Sequence, residues 1–160
     1  MKYELQDLLR VRDHRKERAQ EDLLKAKRAR QEAELHLQAM QKRLDDFIEK
    51  KPIYIQKIYD KALEKVQFKR NYVDLVNLKV SKLAECQMKL AIELEKAQNN
   101  YKAACEKVED CTKMLMRAQV ELSKIEEHKK IWQQEANALE ELAQDKELED
   151  FKTKPKNGHK

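Results

Sequence analysis

Side chains that could act as nucleophiles or metal ligands are few and widely spaced in this sequence. Cys86, Cys105 and Cys111 lack the C-x-x-C spacing of zinc and redox sites. The four histidines do not pair with Cys or carboxylates at ligand spacing, so we expect no metal site. The odd cysteine count and the lack of an apolar signal segment favour a reducing cytoplasm.

Catalytic constellations are not indicated either. The only glycine is Gly158, so no glycine-rich phosphate loop is present, and Ser81 and Ser123 have no His and carboxylate at matching spacing. Neighbouring carboxylates are more typical of solvated helix surfaces than of acid/base pairs. Examples are Asp45-Asp46, Glu126-Glu127 and Glu140-Glu141. We therefore predict a non-enzyme with no catalytic residue and no cofactor.

The composition is that of long, solvated helices. Charged residues make up 41% of the 160 residues, with two prolines and few aromatics. The net charge of +5 comes from 35 basic and 30 acidic residues, interspersed nearly everywhere. This pattern indicates charged helix surfaces with i,i+4 pairs, or alternatively a basic patch for a nucleic acid or acidic partner. No apolar run is long enough to span a bilayer.

A seven-residue apolar repeat organises residues 55–143. One series of seam positions runs from Ile55 to Leu139 and the other from Tyr59 to Ala143. Alternating steps of three and four residues produce the narrow apolar seam of a coiled coil. Three polar residues interrupt this seam: Lys69, Gln87 and Lys129.

Residues 2–50 carry a second, alanine-rich seam. Its two series run from Leu5 to Phe47 and from Leu9 to Leu44. Continuing this phase would place Tyr54 on the seam, whereas the later repeat places Ile55 there. The repeat thus slips by one residue near Pro52, which predicts a kink or a break in the helix.

Two turn positions are compatible with these seams. A turn within residues 68–77 sets large seam residues against small ones, whereas a turn at 50–55 leaves the second half of the long helix without a partner. We favour the first, with Pro52 as a kink. It predicts these facing pairs: Leu37 with Cys111, Arg12 with Ala136, Lys129 with Ala19, and Lys16 with Trp132.

The predicted fold is all-α, with two long helices forming an antiparallel coiled-coil hairpin. We expect one domain over residues 1–150, with helix 1 at about 3–68 and helix 2 at about 77–150. Residues 151–160, which contain Pro155, Gly158 and several lysines, are predicted to be a flexible basic tail.

Two surface clusters are candidate binding sites. Apolar residues off the seam near the turn predict either a docking surface or packing within the turn. They are Phe68, Tyr72, Leu75 and Leu78. A basic stretch near the other end could hold an acidic partner, although exposed arginines are common without such a role. It comprises Arg10, Arg12, Arg15, Lys16 and Arg18.

A resemblance to a known family is carried by the predicted helices, the size of the chain and the stretches "LLRVRDHRKERAQ" and "NYVDLVNL". In these features the chain resembles the central-stalk proteins of type III secretion systems, the YscO/FliJ family. The resemblance covers most of the chain, and the chain is similar to a chlamydial member of the family. It implies a hairpin similar to the coiled coil of the rotary ATP synthase gamma subunit. It also implies a bacterial protein that is cytoplasmic, peripheral to the secretion apparatus at the inner membrane, and involved in virulence.

The same resemblance implies partners. Family members work with the hexameric secretion ATPase, bridge towards the export gate and bind secretion chaperones. The ring-facing end would hold Leu5, Leu8, Leu9, Arg12 and Arg15, with Trp132, Leu139 and Leu142 opposite. The Phe68–Leu78 tip would face the gate, although helix polarity does not decide between the two ends.

Three hypotheses follow. The first is a hairpin stalk, monomeric alone, that activates the ATPase. The second is a self-associating coiled-coil scaffold or tether outside secretion, in which the helix after Pro52 pairs between chains. The third is a basic helical binder of nucleic acid, which we disfavour, so no nucleic-acid partner is predicted.

Overall fold

The computed structural model describes residues 2–64 and 70–153, which form two α-helices. Helix α1 spans Gln6–Leu63 and helix α2 spans Arg70–Thr153, and these described residues contain no strand. The two helices pack against each other as a helical hairpin. The predicted all-α hairpin is therefore confirmed.

The start and end of α1 carry ordinary helix signals. The Gln6 amide donates to the Tyr3 carbonyl over 3.2 Å and the Leu9 amide to the Leu5 carbonyl over 3.0 Å, which closes the first turn. Asp7 in the first turn and Lys61 in the last suit the positive and negative ends of the helix dipole. The helix is shorter at both ends than the predicted span of 3–68.

Helix α1 continues through Pro52 without interruption. A proline inside a helix removes one backbone donor, but flanking turns can carry the helix past it when the long seam continues on both sides. The alternative turn at 50–55 is therefore wrong. A bend of the axis at Pro52 stays a prediction.

The favoured turn also lies too far along the sequence. Residues 70–77 belong to α2, so the chain reverses direction between Glu64 and Arg70. Several predicted features fall outside the described residues: seam positions Val66 and Lys69, tip residue Phe68, and tail residues 154–160. Of the predicted tail, residues 151–153 are helical.

Contacts divide the chain into two units, although the prediction treated residues 1–150 as one domain. The first unit combines Met1–Asp22 with Thr112–Lys160 and contains both chain ends. Within it the helices run antiparallel, because Gln6 contacts Lys129 and the later Arg12 contacts the earlier Glu121.

The second unit, Leu23–Cys111, contains the reversal of the chain. Here Lys51 Nζ donates a hydrogen bond of 2.7 Å to Gln87 Oε1. Farther from the reversal, Leu37 and Gln98 line the same surface depression. Both units therefore have antiparallel helices joined by a narrow apolar seam.

Burial confirms the seam over most of its length. From residue 9 to residue 47 and from residue 76 to residue 136, every predicted seam position is buried or half-buried. Near the reversal, Ile58 replaces the predicted Tyr59, which is exposed. After Ala136 the helix is exposed on all sides, including predicted seam positions Leu139 and Ala143.

The predicted slip of the repeat is visible at Phe47, Lys51 and Ile55. These three residues are half-buried and follow one another in two steps of four, whereas Tyr54 is exposed. Two successive steps of four locally lengthen the repeat, as a stutter does in a coiled coil. Lys51 follows Leu44 by one heptad and lies opposite the polar residue Gln87, and the lengthened step is the one from Lys51 to Ile55.

The predicted pairing of the helices is wrong. Gln6 contacts Lys129, where Ala19 was expected, and Tyr3 contacts Trp132, where Lys16 was expected. Both differences amount to about two heptads, a shift that leaves apolar positions facing apolar positions. The heptad pattern alone cannot distinguish these registers; the earlier turn selects the observed one.

Candidate partner-binding surfaces

The predicted basic stretch lies in the first turns of α1. Arg10, Arg15 and Arg18 are exposed, while Lys16 is half-buried on the seam. Arg10 pairs with Asp7 over 3.8 Å, but both side chains are mostly exposed, so this pair adds little stability. Three arginines on this end therefore remain accessible to a partner.

Arg12 differs from the other arginines because it lies on the seam. Its guanidinium forms an ion pair with Glu121, and its Nε is buried without a hydrogen-bond partner in the described part of the chain. The expected neighbour was Ala136. An ion pair between the helices gives Arg12 a role in holding them together, which the sequence pattern did not indicate.

An aromatic cluster joins the chain's beginning to α2. Tyr3 is 5% exposed, and its ring lies 5.3 Å from the Trp132 ring at 56°. A hydrogen bond of 2.8 Å joins the Tyr3 hydroxyl to His128 Nδ1. Tilted rings at this spacing are a favourable aromatic arrangement. The available signal was an aromatic residue just before the first heptad, which resembles a hydrophobic staple.

The other predicted residues of this end are placed as follows. Leu8 and Leu9 are half-buried, whereas Leu5 is at the exposed limit. Trp132 is half-buried against Tyr3, so it is largely engaged within the chain. Leu139 and Leu142 are exposed. The structure thus brings the arginines and Trp132 into one unit but uses Trp132 and Arg12 for internal packing.

At the predicted tip, the three described residues lie in the first turns of α2. Leu75 and Leu78 are exposed, and Tyr72 is half-buried. Phe68 lies outside the described residues. The two exposed leucines are consistent with the docking alternative, while Tyr72 is partly packed.

A groove in the second unit was not anticipated. It has a volume of about 400 Å³ and lies between α1 and α2, with three lysines and no carboxylate among its lining residues. Those residues are Tyr54, Lys57, Ile58, Lys61, Lys79 and Leu83. The sequence signal for this groove was the spacing of Tyr54, Lys57, Ile58 and Lys61. Steps of three and four residues place these side chains along one face of α1.

Within residues 2–64 and 70–153, the remaining reactive side chains show no arrangement typical of a catalytic or metal site. Cys86, Cys105 and Cys111 are free thiols, and no cluster of potential metal ligands is found among the described residues. A hydrogen bond that the Tyr101 hydroxyl donates to the Cys105 side chain raises the pKa of the Tyr101 phenol, and negative charge on Cys105 and Glu34 adds to this. That effect is local to the seam.

No helix within residues 2–64 and 70–153 is both long and apolar enough to cross a bilayer. No curated protein and no solved structure shows a significant match to the chain. A family model does match: the one described as type III secretion protein YscO aligns with residues 5–154. Since that match covers nearly the whole sequence, the chain belongs to the YscO family of type III secretion proteins.

Proposed function

We propose that this protein is a non-catalytic stalk or adaptor of a type III secretion apparatus. In this role it engages the hexameric secretion ATPase, promotes its activity, and links it to the export gate and to secretion chaperones. The observation that carries the proposal is the family match over residues 5–154 on a chain that folds as a long helical hairpin. The work would take place in the bacterial cytoplasm, next to the inner membrane.

The hairpin's construction suits a stalk. Its core is a narrow seam, so most of each helix surface is charged and exposed to solvent. Polar seam residues are paired across the helices, as in the Lys51–Gln87 and Lys129–Gln6 hydrogen bonds. Such polar pairs specify register in coiled coils, which favours one defined hairpin over a set of slipped ones.

We assign the unit with both chain ends to the ATPase ring. It presents the exposed Arg10, Arg15 and Arg18 on one helix. Arginines can form bidentate bonds to carboxylates of a partner and raise the rate of its association. The tip leucines Leu75 and Leu78, together with the lysine-lined groove, are assigned to the gate or to chaperones.

The test is ATPase stimulation by the purified full chain. A charge-reversal variant of the ring-facing end replaces three exposed arginines: Arg10→Glu, Arg15→Glu and Arg18→Glu. Its matched control reverses three exposed charges in the other unit: Lys25→Glu, Lys27→Glu and Arg28→Glu. We expect wild type and control to stimulate the cognate ATPase, and the first variant to lose most of the stimulation.

The outcomes separate the parts of the proposal. If the wild-type chain neither binds nor stimulates the ATPase, the stalk function is wrong. If both charge-reversal variants stimulate like wild type, the assignment of the ring-facing end is wrong. Light scattering at micromolar concentration should show a monomer, because the seam closes within one chain; a stable dimer would favour a scaffold or tether.

A further inference from the structure

The last part of α2 extends beyond the seam. Tyr3, the first buried residue in the described part of the chain, contacts Trp132, and Ala136 is the last half-buried residue of α2. Every residue from 137 to 150 is helical and exposed. We call residues 137–150 the α2 extension.

The α2 extension continues the apolar stripe of the seam for one heptad, through Leu139 and Ala143, and the next two seam positions hold Lys146 and Asp150. Leu139 and Ala143 occupy the next two seam positions after Trp132 and Ala136, and Leu142 flanks them. Leu139 is 59% exposed and Leu142 is 58% exposed. From residue 76 to residue 136 of α2, residues at these seam positions pack against α1. In the α2 extension, Leu139 and Ala143 have no residue of α1 opposite them.

Acidic residues border this stripe. Within the α2 extension, six carboxylates accompany a single lysine, Lys146, although the whole chain has a net charge of +5. Glu140, Glu147 and Glu149 occupy positions next to the seam, where charges select the partner helix in a coiled coil. The complementary surface therefore carries Lys or Arg at the matching positions.

We propose that the α2 extension docks a basic amphipathic helix of a partner protein, with apolar residues on the seam and Lys or Arg beside it. A second copy of this chain fits poorly, because its own extension would oppose carboxylates with carboxylates. Residues 154–160 carry no large apolar side chain to cover the stripe. The inference deepens the proposed function and depends on it for the partner's place in the secretion apparatus.

The probe is a designed, fluorescently labelled helix of about three heptads with Leu on the seam and Lys beside it. A second peptide has Glu in place of each of those Lys residues. Binding to the full chain is measured by fluorescence anisotropy. The stripe variant is Leu139→Ser with Leu142→Ser, and its matched control is Leu24→Ser with Leu35→Ser, at leucines 55% and 59% exposed.

We expect the Lys peptide to bind and the Glu peptide not to bind. The stripe variant should weaken binding about ten- to a hundredfold, while the control should bind like wild type. Reversing two border charges, Glu140→Lys with Glu147→Lys, should transfer binding to the Glu peptide. Higher salt should weaken each interaction.

Three results would overturn the inference: no binding of the Lys peptide, equal binding of both peptides, or an unaffected stripe variant. Wild-type dimerisation that the stripe variant abolishes would also overturn it and identify a second copy as the occupant. ATPase stimulation by the same wild-type preparation is scored separately. A chain that binds the Lys peptide as expected but neither binds nor stimulates the ATPase would refute the proposed function and leave the docking site standing.

Discussion

Tyr3 should hold the start of the chain against α2, and its removal offers a direct test of the structure. Tyr3 is 5% exposed, the centre of its ring lies 5.3 Å from that of Trp132, and its hydroxyl is hydrogen-bonded to His128. Burying an aromatic ring contributes about 2–3 kcal/mol, and a neutral hydrogen bond about 1 kcal/mol. We therefore expect Tyr3→Ala, which removes both, to cost about 3–4 kcal/mol of local stability and Tyr3→Phe about 1 kcal/mol.

The assay can be confined to this end of the chain because Trp132 is the only tryptophan. Urea unfolding is followed by tryptophan fluorescence and, in parallel, by circular dichroism, which averages over both helices. Tyr3→Ala should shift Trp132 emission to the red and lower the fluorescence midpoint more than the dichroism midpoint. Local loss of packing next to Trp132 is the physical reason.

Tyr59→Ala is the matched control, since Tyr59 is exposed and lies in the other unit. It should leave Trp132 emission and the fluorescence midpoint close to wild type. If Tyr3→Ala leaves both fluorescence quantities unchanged, Tyr3 does not pack on Trp132 in solution. The observed pairing of α1 with α2 at this end would then be refuted.

Two further predictions test the register. With all three native cysteines replaced, Gln6→Cys with Lys129→Cys should crosslink within one chain. With only Cys86 and Cys105 replaced, Leu37→Cys should not crosslink to Cys111. Gel mobility under non-reducing conditions reports both results, and the reverse outcome would restore the pairing predicted from sequence. Gln87→Leu should raise the free energy of unfolding by about 1 kcal/mol in a urea titration, because the seam gains an apolar residue. The half-buried Lys51, which loses its acceptor, can still extend its ammonium group into water. A lower midpoint would show that this hydrogen bond stabilises the hairpin.

The seam could be predicted from sequence because helical geometry translates a seven-residue spacing directly into one buried face. Burial at Val76, Leu94, Val108 and Leu122 follows that spacing. The slip near Pro52 was also readable, since Ile55 is half-buried and the preceding residue is exposed. Local periodicity was sufficient for both features.

The register needed information that the repeat does not contain. Sliding one helix by a whole number of heptads keeps apolar residues opposite apolar residues, so many registers have similar burial. What separates them is the turn position, together with pairings such as Arg12 with Glu121 and Lys51 with Gln87. Residues 70–77 of the favoured turn region instead belong to α2.

The turn position also determines which surfaces are left for partners. When the turn moves one residue towards the N-terminus, each residue of α1 faces a residue of α2 that is two positions earlier in the sequence. An earlier turn therefore leaves a longer part of α2 beyond the start of α1. A turn at 68–77 would have set Arg12 against Ala136 and covered Leu139 with the first residues of the chain. The observed turn pairs Tyr3 with Trp132 and leaves Leu139 and Leu142 exposed. The two leucines are thus accessible because of the position in the sequence at which the chain reverses.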